Sequence, residues 1–226
     1  MFPVFKPVLA AAALLFISDV AAKAQSSDVT LQATSVRDVT ARTQAPDVAL
    51  KATYAAIGPQ TAVPYGWVDF CHRYTGECTH EAQAPADINL TAKAFDAIDQ
   101  LNRWVNATIE PVTDAEHWGV ADQWDYPTDM KGDCEDYALL KRRLLLGLGF
   151  PRQALLMTVV KDEHNEGHAI LTIKTNHGEF ILDNLTNEIK AWADTPYRFV
   201  KRQSQYDENV WVQIGDPTAV PTLVSK

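Results

Sequence analysis

The order of hydrophobic periodicities along the chain predicts an α+β domain. Two segments of helical period come first and three of strand period follow, the last two joined by a tight turn. The chain has 226 residues, and a targeting signal accounts for the first 24. Lys6 leads into an apolar run from Val8 to Ile17, and Ala22-Lys23-Ala24 ahead of Gln25 fits a small-residue cleavage site. The run is about half the roughly 20 residues of a membrane span, and no other stretch is apolar for as long. Export to the periplasm is therefore expected, with no membrane insertion once residues 1–24 are removed.

Residues 25–50 are rich in Ser, Thr, Ala and Asp and contain no aromatic residue, so they read as a flexible leader with little to bury. The remainder, 51–226, is expected to be one domain. It opens on a loop around Pro59, Pro64 and Gly66. Between residues 89 and 109, Leu90, Ala94, Phe95, Ile98, Leu101, Val105 and Ile109 recur at spacings of three and four, an amphipathic helix with Asn89 or Thr91 as its cap. A polar loop follows whose aromatics, Trp118, Trp124 and Tyr126, are expected to pack against a core. The second helix lies in KGDCEDYALLKRRLLLGLG, residues 131–149, capped by Asp133. Tyr137, Leu140, Leu144 and Leu148 form its apolar stripe, and Gly147 or Gly149 with Pro151 ends it. LLMTVV (155–160), AILTIK (169–174) and EFILDN (179–184) then read as strands, with TNHG as the turn between the last two.

A formal charge of −9, about −10 once the signal is removed, argues against nucleic acid or anionic lipid as a partner and for proteins or cations. The three cysteines all lie in the exported part, where disulfides persist. In CHRYTGEC, Cys71 and Cys78 stand across a short loop and can bridge, which leaves Cys134 as the free thiol.

Cys134 lies in the first turn of a helix, where unpaired N–H groups and the macrodipole favour a thiolate. His168 opens a strand, and Asp183 closes the next one. With Asn176-His177 as a two-residue turn, Asp183 is the diagonal neighbour of His168 on the same face, roughly 7–8 Å away at the backbone. A nucleophile, an imidazole to shuttle the proton and a carboxylate to orient the imidazole are the parts of a cysteine peptidase. Taken singly, each has a plainer reading: a buried Cys as a small hydrophobe, a surface His, an Asp that starts a turn.

The set GDCEDYALLKRRLLLGLGFP, HAILTI and GEFILDNLTNEIKAW, with VNATIEPVTDAEHWGVADQWDYPTDMKG upstream, resembles the bacterial transglutaminase-like cysteine peptidases of the LapG type. The resemblance runs from about residue 89 to 192. It implies a papain-like, transglutaminase-like fold with the cysteine helix packed on an antiparallel sheet that carries the His and the Asp. It also implies Cys134 as nucleophile, His168 as general base and then acid, and Asp183 as orienter. Members of that type cleave a large surface adhesin, which ends biofilm attachment, and an inner-membrane receptor for cyclic di-GMP restrains them.

Asp133, Glu135 and Asp136 surround Cys134, and three uncompensated carboxylates would oppose its ionisation. Helix capping absorbs Asp133, and Lys131 is the only nearby cation in sequence. Adjacent carboxylates suit a hard ion, and calcium is plentiful outside the cytoplasm. The resemblance implies the same: calcium held by acids beside the cysteine, here Asp133, Glu135 and Asp136.

A transglutaminase or amidase would use the same triad with an amine in place of water, and a non-catalytic calcium-responsive module would keep these residues as packing. HNEGH (164–168) spaces two histidines by four, but its Glu stands third rather than second and Gly167 argues for a loop, so zinc is not expected there.

Overall fold

The structure, a computed structural model, describes residues 54–215. The expected signal peptide and leader lie outside the described residues, as do the outermost residues of the domain expected over 51–226. In chain order the elements are β1 (Ile57–Thr61), α1 (Tyr65–Arg73), α2 (Ala92–Thr108), β2 (Glu110–Pro111), α3 (Asp114–His117), β3 (Lys131–Gly132) and α4 (Cys134–Gly147). Then come β4 (Leu155–Lys161), β5 (Gly167–Thr175), β6 (Gly178–Leu182), β7 (Lys190–Ala191), β8 (Arg198–Gln203) and β9 (Trp211–Ile214).

Seven strands form one antiparallel sheet in the order β1-β9-β8-β4-β5-β6-β7, while β2 and β3 make a separate parallel pair. The helices and the sheet are thus not strictly successive, because β1 precedes every helix and pairs with β9 at the sheet edge. The expected loop around Pro59 is therefore a strand. Proline is tolerated on an edge, and the register shifts between Ile57 and Gln60, where it sits. The same loop holds α1, whose Trp67 and Phe70 are buried.

Thr91, not Asn89, caps α2, its hydroxyl accepting from the Ala94 N–H at 3.2 Å. The stripe foreseen on α4 packs on α2: Tyr137, with Leu140 and Leu144 beside it, meets Val105 and Ile109. Leu148 is a correction, since at 60% exposed it lies outside that contact. The opposite side of α4, with Ala138 and Leu145, packs on Leu155, Ala169 and Leu171 of the sheet. With a layer on each side, α4 buries almost its whole circumference, including Lys141 and Arg142. Gly149, at φ +88°, takes the left-handed conformation that ends it.

Trp124 and Tyr126 are buried and Trp67 packs edge-on against Trp124, whereas Trp118 is exposed and stacks on His117. Cys71 and Cys78 are bridged, and Cys134 is the free cysteine. Among the described residues no helix is long and apolar enough to cross a membrane.

Candidate active site

Asp133 caps α4 in extended conformation and shares a reciprocal capping box with Asp136, whose Oδ2 accepts the Asp133 N–H at 3.4 Å. Cys134 is therefore the first helical residue, at the positive end of the macrodipole. Its sulfur is buried, 1% exposed, and accepts the Ala169 N–H from β5 at 3.3 Å.

The turn after β5 has two residues, with Thr175 opposite Gly178. That register runs to Leu171 opposite Leu182, so Asp183 is the first residue past the ladder and its side chain stays on the face of His168. His168 Nε2 meets Asp183 Oδ1 at 3.0 Å, and both residues are buried. Nδ1, the ring nitrogen left over, is buried without a hydrogen-bond partner, and Cys134 also interacts with the ring. Burial alone would lower the imidazole pKa, but the hydrogen bond to Asp183 and the interactions with Cys134 and with the Asp183 charge outweigh it and raise it to about 10. Burial would raise Asp183, and its bond and charge interaction with His168 bring it below the usual carboxylate range instead.

Two further groups hold the Asp183 carboxylate. The Leu185 N–H donates to Oδ1 at 3.0 Å and the Tyr197 hydroxyl to Oδ2 at 2.5 Å. The Tyr197 ring also lies 5.4 Å from the His168 ring. Nothing in the residue pattern marks Tyr197, which reaches the site from an irregular segment after β7. Leu185, 59% exposed, stands between two hollows of about 150 and 210 Å³, the first lined by Asp133 and Asn184 and the second by Asp183 and Tyr197.

A second feature surrounds the start of α4. Asp133, Glu135 and Asp136 are joined by Asp114, the first residue of α3, and by Asp122. The ligand atoms of Asp114, Asp122 and Glu135 lie within 4.8 Å of one another, as do those of Asp114, Asp133 and Asp136 and those of Asp133, Cys134 and Glu135. Sequence reading missed Asp114 and Asp122 because they come from the loop singled out for its aromatics, although acids at 114, 116, 122, 125 and 129 were the available signal.

Capping does absorb more than one acid, since Asp133 and Asp136 both take part. Asp133 Oδ2 also accepts the Asp114 N–H at 3.3 Å, and Asp136 Oδ1 the Asp125 N–H at 2.7 Å. Glu135 is fully buried and turned onto the sulfur, which donates to its Oε2 at 3.1 Å. Oδ1 of Asp133 and Oε1 of Glu135 are buried without a hydrogen-bond partner. Lys131 points elsewhere, 3.9 Å from Glu110.

Burial raises every one of these acids. Asp133 is raised to about 6, Asp122 to about 7 and Asp136 to about 9, and after burial the Cys134 sulfur and then the neighbouring carboxylates push Glu135 well up as well. Five carboxylates that resist ionisation together, two with orphaned buried oxygens, fit a hard cation with oxygen ligands. His164, by contrast, is exposed on the β4–β5 hairpin while His168 is buried against Asp183, so HNEGH is no metal pair.

The family model of the bacterial transglutaminase-like cysteine proteinases matches residues 57–219. Among solved structures, the calcium-bound form of LapG from Legionella pneumophila is 26% identical, covers 56% of this chain and 74% of its own, and has a TM-score of 0.46. The EGTA-treated form is 27% identical, with coverages of 54% and 72% and a TM-score of 0.43. No curated protein matches. The family match spans nearly all of the described residues, including Cys134, His168 and Asp183, and the chain belongs to the bacterial transglutaminase-like cysteine proteinases: it is a cysteine peptidase whose substrate is protein.

Proposed function

We propose that the chain is a calcium-dependent periplasmic cysteine endopeptidase in which Cys134 attacks, His168 carries the proton and Asp183 orients the ring. The observation that carries these roles is the 3.0 Å pairing of His168 with Asp183, beside a cysteine that starts a helix. The Cys134 proton passes to His168, and the sulfur bonds to the peptide carbonyl carbon. First-turn N–H groups of α4 would stabilise the oxygen that gains charge. The C–N bond then breaks as His168 returns the proton to the departing amine. Water, deprotonated by His168, cleaves the thioester, releases the acid product and restores the thiol.

Asp133, Glu135 and Asp136, with Asp114 and Asp122, are the residues that would hold calcium. When bound, it supplies positive charge that lets these carboxylates ionise without opposing a thiolate beside them. The orphaned oxygens of Asp133 and Glu135 support the assignment.

The biological reading rests on the motif resemblance. Residues 1–24 are a signal peptide, 25–50 a leader and 51–226 the peptidase. The substrate is a large surface adhesin, whose cleavage ends attachment and biofilm, and an inner-membrane cyclic di-GMP receptor restrains the enzyme. Comparing the surface and exported proteins of cells carrying the wild type or Cys134→Ala tests this. One large surface protein should be retained in the mutant, and its release by the purified wild type, with new chain termini, should stop in EGTA and resume with excess calcium. Identical protein profiles, or isopeptide bonds in place of new termini, would overturn the reading.

A further inference from the structure

Lys141 is fully buried, an environment that a lysine rarely occupies without a charged partner. Its Nζ donates to the backbone carbonyl of Asp183 at 2.9 Å, and the Tyr137 ring lies 6.0 Å away. Burial draws its pKa down to about 7 against the pull of the Asp183 charge. A neutral carbonyl does not repay the desolvation of an ammonium, so packing alone would be better served by Leu or Met.

Lys141 stands seven residues after Cys134 on the same helix, two turns or about 10 Å along its axis. That helix presents the sulfur at one point and grips the residue carrying the orienting carboxylate at another. The carboxylate oxygens of Asp183 are taken by His168, Leu185 and Tyr197, which leaves the carbonyl as the handle by which the backbone is held. Asn106 of α2 donates to the same carbonyl at 2.9 Å.

We propose that Lys141 is a positioning residue: from the helix that carries Cys134 it fixes the backbone of Asp183, and through Asp183 sets the His168 ring against the sulfur. This rests on the triad reading above. Lys141 touches no reacting atom, and its effect passes through Asp183.

The test uses the full calcium-loaded chain. Cys134 alkylation by iodoacetamide and the low-field proton resonance of the His168 imidazole are measured in the wild type and in Lys141→Met, which keeps the length and apolar stem of the side chain. The expected result is an alkylation rate about 10- to 100-fold lower, the cost of a small displacement at a reacting centre. The His168 resonance should be shifted or lost, and the thermal midpoint unchanged or higher because a buried charge has gone. Lys141→Gln, which keeps an N–H donor on a shorter arm, serves if the methionine variant does not fold, and its rate should also fall at least severalfold. Wild-type rate and resonance in either folded variant overturn the proposal while leaving the triad standing. A wild-type Cys134 no more reactive than free cysteine removes the triad, and the proposal with it.

Discussion

Tyr197 closes the Asp183 carboxylate on the side that His168 leaves open, and its phenol is driven above its ordinary pKa, by burial first and by the bond to Asp183 next. It is therefore a donor at every pH the enzyme would meet. Removing its hydroxyl alone leaves the ring contact with His168 and frees one oxygen of a buried anion. Tyr197→Phe should lower kcat about tenfold with KM changed by less than twofold, the pattern of a group that acts on the transition state rather than on binding. Steady-state kinetics on the purified protein decide it, and an unchanged kcat removes Tyr197 from the site. The contrast with Cys134, His168 and Asp183 shows what a sequence exposes at this scale. A helix start, a strand start and a two-residue turn are local patterns, and together they are enough to place three side chains near one another. Tyr197 has no such pattern, because only the tertiary fold carries it back across the strand end.

At the scale of elements, the start of α4 and the loop over residues 114–125 form one electrostatic unit. Gly132, just ahead of the helix, lets the chain run so close to Asp136 that an added Cβ would collide with its carboxylate. Protons and a divalent cation compete for the same oxygens here. An unfolded carboxylate titrates near 4, whereas Asp133, Asp122 and Asp136 are raised to about 6, 7 and 9 in the fold. Between those values the metal-free folded protein binds more protons than the unfolded chain, so its stability falls as pH rises from about 4 to 9. His168, raised to about 10, adds a loss between about 6.5 and 10, and that loss is shared by the calcium-loaded protein. The gap in thermal midpoint between protein in calcium and protein in EGTA should therefore widen steadily from pH 5 to pH 9. Differential scanning calorimetry measures it, and a gap that does not change with pH contradicts the cation reading. Asp133, Glu135 and Asp136 were legible because they flank Cys134 in sequence. Asp114 and Asp122 were not, since a loop of mixed aromatic and acidic residues does not disclose which side chains turn inward.

Across the whole molecule, non-local pairing decides what the sequence left unread. IGPQT has no alternation and carries Gly58 and Pro59, both disfavoured in strands, and becomes β1 because β9 pairs with it from far along the chain. The buried Lys201 and Arg202 likewise interrupt the apolar alternation of β8. A second long-range connection reaches the active site from the Cys71–Cys78 bridge. The bridge closes the turn after α1, and Arg73 at the end of α1 and Tyr74 just after it both hold the Asp125 carboxylate. The Asp125 N–H in turn donates to Asp136, two residues from Cys134. Loss of the bridge removes a constraint worth about 2–3 kcal/mol in the chain-entropy model, which for a domain of this size is roughly 5–10 °C in the midpoint. Because Arg73, Tyr74 and Asp125 link the bridge to the acid cluster, the loss should also reach cation binding. The double variant Cys71→Ala/Cys78→Ala is expected to need more calcium than the wild type to recover activity after EGTA. A lower midpoint with an unchanged calcium requirement would confine the bridge to stabilising α1 and sever its link to α4.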